Sequence, residues 1–138
     1  QEDNRDYVSS NLSERALREL YLQSFRIAIR EGNPWTVMSS YNRVNGVYTP
    51  NSHDLMTWVL RNEWDFNGLV MSDWNSTDKC SHAKAINSGN DLIMPGNKRV
   101  RKELKKALKN GELDRDCLCT SAARVLTMIF NSAVAEDL

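Results

Sequence analysis

The sequence predicts an α/β fold in which helices wrap a parallel sheet. Two observations indicate this class: amphipathic helical patterns alternate with short apolar runs, and the segments that connect them are short. The 138 residues are enough for one domain with one core. In such a sheet the loops that follow the strands open on one side, and α/β proteins place their chemistry on that side.

A helix is predicted from about residue 13 to residue 31. Asn11 and Ser13 are side chains of the kind that cap a helix, and Gly32 is typical of a helix end. The buried stripe of this helix is expected at helical spacing, on Leu17, Leu20, Tyr21, Ser24, Phe25 and Ala28.

One strand and a second helix are predicted next. The run 36–41 is β-branched and apolar at its start and polar at its end, which indicates a strand. Asn45 and Gly46 then predict a turn. Asn51 or Ser52 caps a helix that ends at about residue 64, with packing positions at Leu55, Trp58, Val59 and Arg61.

Residues 68–71 predict a short buried strand, because a glycine is followed there by three apolar side chains. Asp73 and Trp74 come directly after it. A carboxylate held at a strand end, beside an aromatic surface that suits the apolar face of a sugar ring, can act as a nucleophile. An aspartate in this position also commonly caps the next helix or turns the loop. Position by itself leaves both interpretations open.

The last third of the chain is predicted to contain three helices and one short strand. A helix spans about 76–88, and 91–94 is a strand ended by Pro95. The next helix, 100–109, is closed by an Asn-Gly pair. Asp114 caps the last helix, whose stripe is Leu118, Ala122, Val125, Leu126, Ile129 and Phe130.

Composition narrows the classes of partner. Eighteen basic and eighteen acidic residues cancel, which argues against nucleic acid or an anionic membrane as an electrostatic partner. The basic cluster at 98–109 is diluted by Glu103 and is predicted to be a solvated helix face. No apolar run approaches the roughly 18 residues of a membrane span. The three cysteines lack the spacing of zinc ligands, so we expect reduced thiols and a cytoplasmic setting. We expect neither a metal nor a cofactor.

Several motifs together resemble one enzyme family. Residues 39–50 read Ser-Ser-Tyr-Asn-Arg-Val-Asn-Gly-Val-Tyr-Thr-Pro, 72–74 read Ser-Asp-Trp, and 89–96 read Gly-Asn-Asp-Leu-Ile-Met-Pro-Gly. With the opening Gln-Glu-Asp-Asn-Arg and the helix at 8–25, they resemble the second half of the catalytic barrel of family 3 glycoside hydrolases, the β-glucosidase and β-xylosidase family. The resemblance runs to about Phe130 and so covers nearly the whole chain.

The resemblance implies that residues 1–138 are a fragment, the carboxyl-terminal half of a (β/α)8 barrel. A complete barrel needs about 200 residues or more, and family members also carry an α/β sandwich domain that supplies the acid/base carboxyl group. The implied partners are therefore the other half-barrel, that second domain, and an oligosaccharide or β-glycoside substrate. The isolated chain is expected to be nearly inactive. Because its strand edges are unpaired, it is expected to self-associate, to bind the rest of its barrel, or to be a loosely packed monomer.

The resemblance also implies roles for individual residues. The family uses a retaining double displacement on terminal non-reducing β-D-glycosidic bonds, and Asp73 matches its nucleophile. Trp74 matches an aromatic side chain of the sugar subsite, and Tyr41 matches the tyrosine beside the nucleophile; either could instead be a core residue. Met38 matches a subsite position, although methionine in a strand is commonly core. Arg5 falls where the family motif has arginine.

Other ionisable residues are expected to be structural. Asp91 precedes its strand, so it should face the end of the sheet opposite Asp73. Asp78 belongs to the turn after Trp74. His53 and His82 fall in helical stretches and are expected on the surface.

Two other classes remain as alternatives. A receiver-type phosphoacceptor domain also places an aspartate after an apolar strand. It needs an acidic cluster at the end of its first strand to hold magnesium, whereas this chain begins with a helix and offers none. The second alternative is a non-catalytic sugar-binding protein or a degenerate half-barrel.

Overall fold

The computed structural model describes residues 2–132. Within them, five short strands form two sheets. The strands are β1 (Ser9–Ser10), β2 (Thr36–Ser39), β3 (Arg43–Val44), β4 (Val47–Tyr48) and β5 (Leu69–Ser72). β2 and β5 are parallel, with Thr36 opposite Leu69 and Ser39 opposite Ser72. The β3–β4 hairpin turns at Asn45 and Gly46, as predicted, and β3 pairs in parallel with β1.

The predicted strand at 91–94 is smaller than expected. Leu92 joins the main sheet through one parallel bridge to Met71. The next donor of the ladder, the N–H of Met94, donates to Ser72 Oγ (2.9 Å) and not to the Ser72 carbonyl, so pairing stops after Leu92. The three segments nevertheless run parallel, which confirms the predicted direction of the chain at each of them.

The helices occupy the predicted parts of the sequence. They are α1 (Glu14–Ala16), α2 (Gln23–Gly32), α3 (His82–Asn87), α4 (Lys98–Lys109) and α5 (Arg115–Phe130), with π-helical stretches at Leu17–Tyr21 and Asp54–Glu63. Ser13 and Asp114 accept hydrogen bonds from the first turns of α1 and α5, which confirms both predicted caps. None of the helices in the described part of the chain is long and apolar enough to cross a membrane.

The core lies between the helices and one face of the main sheet. Val70, which is fully buried, anchors a cluster that contains Ile29, Met56, Val59, Leu60, Trp64 and Phe66. A second cluster joins α3 and α4 around Ala83, Ile86, Ile93, Val100, Ala107 and Leu113. On β2, Val37 packs against the first cluster, whereas Met38 is 59% exposed. The helices therefore cover only one face of the sheet at β2.

The predicted stripe of the first helix is largely wrong. Leu20, Tyr21 and Phe25 are 71%, 63% and 58% exposed, and the buried residue is Ile29. Tyr21 and Phe25 lie with Leu22 and Ile29 along the groove between the first helices and β2, but no described element covers them there, so they stay exposed. The stretch Leu17–Tyr21 is π-helical, with the N–H of Leu22 donating to Leu17 O.

Two other packing predictions are also corrected. On the Asp54–Glu63 helix, Val59 is buried but Trp58 is 55% exposed. On α5, Leu118 packs against the second cluster, whereas Leu126 and Phe130 are 52% and 67% exposed. Periodicity correctly located an apolar face in each case. It could not show which part of that face packs against another element.

The expected helix at 76–88 is divided. A 3-10 turn, Ser76–Lys79, contains Asp78 and is separated from α3 by Cys80 in extended conformation. His53 is exposed, as expected, but His82 is only 7% exposed, so the expectation that it lies on the surface is wrong.

Candidate active site

Three chain segments meet at the carboxyl end of the main sheet. The N–H of Asp73 donates to Ser39 O (3.2 Å), which joins the ends of β5 and β2. The N–H of Asn75 donates to Met94 O (3.0 Å), which brings in the segment after Leu92. The predicted convergence of these strand ends at one rim is therefore what the structure shows.

Asp73 is half-buried at this rim. Its Oδ1 accepts a hydrogen bond from the N–H of Trp74 at 2.6 Å, and its carbonyl accepts from the N–H of Ser76 at 3.2 Å. Both contacts are typical of an aspartate that shapes a turn. The interpretation of Asp73 as a turn residue is therefore correct. The contact at Oδ1 also fixes the orientation of the carboxylate.

Trp74 is 56% exposed among the described residues, which favours the subsite interpretation over a core position. Asn75 follows it with a φ of 60°, a left-handed conformation that asparagine tolerates better than most residues. This sharp change of direction leaves the indole on the surface beside the carboxylate.

Tyr41 approaches the same turn from the end of β2. Its half-buried hydroxyl donates to Trp74 O, so the phenol supports the turn that carries the indole. Burial, followed by the negative charge of Asp73, raises the pKa of Tyr41 above its usual value. The hydroxyl therefore stays protonated near neutral pH and can donate a hydrogen bond.

Arg5 contacts Tyr41 directly, whereas Met38 lies on the open face of β2. The Arg5 guanidinium carbon is 4.2 Å from the centroid of the Tyr41 ring, a cation–π contact, and Arg5 also pairs with Glu2. Met38 faces away from the helices on the open side of β2, where no described element covers it, so its subsite and core interpretations both stay predictions. Met38 also borders an apolar groove of about 630 Å³ between the first helices and β2. Because that groove is lined by none of the side chains of Tyr41, Asp73 and Trp74, we do not equate it with the site.

The family model for the glycosyl hydrolase family 3 N terminal domain matches residues 1–128. The chain belongs to glycosyl hydrolase family 3. "Beta-glucosidase B" of Emericella nidulans is 45% identical to this family 3 chain over 131 residues, which are 94% of the chain and 15% of that protein. An "exo-alpha-(1->6)-L-arabinopyranosidase" of Bifidobacterium longum is 45% identical over 95 residues, 69% of the chain and 12% of that protein.

A solved structure shows the same fold. β-Glucosidase 3B from Thermotoga neapolitana in complex with glucose matches with a TM-score of 0.90 and 39% identity, covering 97% of this chain and 20% of that chain. The family 3 chain thus spans only a small part of the length of the curated relatives and solved structures it resembles.

Within residues 2–132, no group of three or more His, Cys, Asp or Glu side chains is arranged to hold a metal ion. Cys80, Cys117 and Cys119 are free thiols, and burial raises the pKa of Cys80 to about 11. A thiol of this kind is protonated near neutral pH and is a poor nucleophile.

A buried ion network at the other end of β5 was missed by the sequence analysis. The Asp91 carboxylate is fully buried; Oδ2 accepts from the N–H of Val70 (2.9 Å) and from Arg61 Nη2 (2.5 Å). Its Oδ1 accepts from Arg124 Nη1 at 2.9 Å. Arg61 Nη1 also donates to Gly68 O at 3.0 Å, so the network fixes the start of the strand that ends at Asp73. The one available signal was that Arg61 falls at a packing position of its helix.

Proposed function

We propose that this chain is part of a retaining β-glycosidase of the β-glucosidase type, which hydrolyses terminal non-reducing β-D-glucosidic bonds with Asp73 as its nucleophile. The observation that carries the proposal is the half-buried Asp73 at the strand-end rim, in the same turn as the exposed Trp74, whose carbonyl accepts from the Tyr41 hydroxyl. Family membership adds support, since similar chains are named as β-glucosidases and one is solved with glucose.

In the same proposal, residues 1–138 form one domain that is the carboxyl-terminal half of a (β/α)8 barrel. The parallel order of β2, β5 and Leu92, with helices on one face, is the local geometry of such a barrel. The other half-barrel would then cover the open face around Met38, and an α/β sandwich domain would complete the site.

The reaction would proceed in two displacements. A carboxylate oxygen of Asp73 attacks the anomeric carbon, the bond to the leaving oxygen breaks, and that oxygen takes a proton from a general acid outside this chain. Water then attacks the glycosyl-enzyme ester, gives its proton to the same acid/base group, and releases the sugar and the free Asp73 carboxylate. Two inversions leave the anomeric configuration unchanged.

The surrounding residues would bind and orient the sugar. Trp74 offers an exposed aromatic face against which the apolar face of a sugar ring can stack. Tyr41 would hold the Trp74 turn and provide a neutral donor near the carboxylate. Arg5 would fix the ring of Tyr41 through its cation–π contact, and Met38 would line the subsite from the open face of β2.

The test uses the whole protein that contains this chain. We expect Asp73→Asn to lower kcat on an aryl β-D-glucoside by about 10⁴-fold or more, because the covalent step loses its nucleophile. A matched control is Asp65→Asn: Asp65 is exposed, with a φ of 57° that asparagine also accepts, so activity should be unchanged. A slow fluorinated glycoside should leave its sugar on the peptide that contains Asp73. Label on another carboxylate, or full activity of Asp73→Asn, would refute the assignment.

A second substrate class is favoured by one relative. The Bifidobacterium longum protein is 45% identical to this chain and is named for α-(1→6)-linked L-arabinopyranose. Comparing kcat/KM for aryl β-D-glucopyranoside and aryl α-L-arabinopyranoside separates the two. We expect the glucoside to be the better substrate.

A further inference from the structure

Helix α4 carries a cationic stripe formed by Lys98, Arg101, Lys102, Lys105 and Lys109. All five side chains are exposed. At about 100° and 1.5 Å per residue, they fall within an arc roughly 100° wide and extend over about 16 Å of helix. The chain as a whole has no net charge, so this concentration of charge is local.

Glu103 does not neutralise the cationic stripe, although the sequence suggested that this residue dilutes the basic cluster. Glu103 is the only acid in α4, and its Oε2 lies 2.6 Å from Nδ1 of the buried His82, on another side of the helix. Nearby Asp78 is engaged by Arg99, with Nη2 2.5 Å from Oδ1. In the part of the chain that the structure describes, none of the five stripe cations has a carboxylate within 4 Å.

The opposite face of α4 holds the helix in place. Val100 and Ala107 are buried in the second core cluster, and Leu104 and Leu108 pack against it. The Asn97 side chain caps the helix by accepting from the N–H groups of Arg99 and Val100. Like charges three and four residues apart destabilise a helix. Here the packing of α4 against the core keeps the five cations close together despite that repulsion. A bound polyanion would remove that repulsion.

We propose that this stripe binds a linear acidic polysaccharide. Four of the five cations are lysines, compact point charges that suit a chain of spaced carboxylates or sulfates. The stripe includes no aromatic side chain on which bases could stack, and the apolar face of α4 is buried in the core and cannot enter a bilayer. Its amino-terminal end is joined through Arg99 to the turn after Trp74. The choice of a glycan over other polyanions rests on the proposed function of that site.

The experiment measures binding by titration calorimetry, without turnover, so it does not depend on the glycosidase assignment. The probes are polygalacturonate, dextran sulfate, neutral dextran, duplex DNA and phosphatidylserine vesicles, in about 20 mM and 200 mM NaCl. The test variant is Lys102→Gln/Lys105→Gln/Lys109→Gln. The control is Arg15→Gln/Arg26→Gln/Arg115→Gln, which removes the same charge from three exposed positions elsewhere. Far-ultraviolet circular dichroism checks that both variants fold.

We expect at least one acidic polymer to bind, neutral dextran not to bind, and affinity to fall steeply at the higher salt. Removing three exposed charge contacts should weaken binding by about tenfold in the stripe variant and by less than about twofold in the control. Preference for polygalacturonate or for dextran sulfate identifies the acidic group. The proposal is overturned if neither polymer binds, if both variants weaken binding equally, or if duplex DNA or phosphatidylserine vesicles bind more tightly than both polymers.

Discussion

Replacing Asp91 with asparagine tests whether the buried ion network holds the start of β5. Asparagine has nearly the same shape and keeps an oxygen for the N–H of Val70, but it removes the negative charge. Arg61 has a side chain only 7% exposed and would then keep its positive charge without its carboxylate partner. Arg124, 28% exposed, would keep partial access to water.

The expected loss of stability is large. Breaking a buried ion pair by removing one partner costs about 3–5 kcal/mol, because the other charge stays buried and unpaired. Burial lowers the pKa of Arg61, and the Asp91 carboxylate opposes that effect, so the guanidinium is already in an unfavourable environment. Since domains are stable by about 5–15 kcal/mol, this one change would remove much of the total.

Urea denaturation followed by tryptophan fluorescence gives the free energy of unfolding of each variant. Glu19→Gln is the control, because it breaks the Arg15–Glu19 pair, whose side chains are 83% and 60% exposed. That loss should stay below about 0.5 kcal/mol. A loss below about 1 kcal/mol for Asp91→Asn, or equal losses for the two variants, would contradict the reasoning. Amide exchange at Val70 should also accelerate in Asp91→Asn and not in the control.

Four further predictions concern two individual contacts and the behaviour of the isolated chain. Hydrogen bonds from Arg18 lower the pKa of Glu63, so this pair stabilises the fold above the unfolded glutamate pKa and ceases to do so as pH falls through the lower folded value. Glu63→Gln should therefore cost about 1 kcal/mol at pH 7 and progressively less as pH falls below the unfolded glutamate pKa, measured by urea denaturation. Tyr41→Phe frees the carbonyl of Trp74 and should lower kcat/KM of the whole protein about tenfold, as the loss of one hydrogen bond predicts. The isolated chain should not hydrolyse an unactivated disaccharide at an ordinary enzyme rate, and a product assay checks this. Light scattering should show that it self-associates, because large apolar side chains are exposed on it; a monodisperse monomer would contradict that expectation.

The positions of the helices and the parallel direction of the main-sheet strands could be predicted because they depend on local signals, whereas β1 and the antiparallel pair β3 and β4 were not predicted. Ser13 and Asp114 cap their helices as expected, and Asn45 with Gly46 turns a hairpin. How much of the first helix is buried could not be predicted, because Tyr21 and Phe25 lie along the groove beside β2 and no described element covers them. Likewise, Phe130 lies on an apolar face that a periodic pattern detects, but periodicity carries no information on whether a neighbour covers it.

The strand-end geometry was more predictable than the charge networks. Parallel strands bring their following loops to one rim whatever the side chains are, so Tyr41 and Asp73 had to lie close together. The networks join residues with about 20 to 30 others between them, such as His82 with Glu103 and Arg61 with Asp91. Charged and polar side chains default to the surface in a sequence analysis, and only the packing shows which are enclosed.

The two aspartates at opposite ends of β5 show what separates a structural carboxylate from a candidate nucleophile. Asp91 is fully enclosed, and two arginines and a backbone N–H occupy both of its oxygens, so no substrate atom could reach it. Asp73 has the same chemical group at a half-buried rim, oriented by the N–H of Trp74 and beside an exposed indole. A nucleophile must be held and yet accessible. By anchoring the start of the strand, Asp91 would hold the backbone that keeps Asp73 in position, so Asp91→Asn should weaken stability first and affect the site only through the strand.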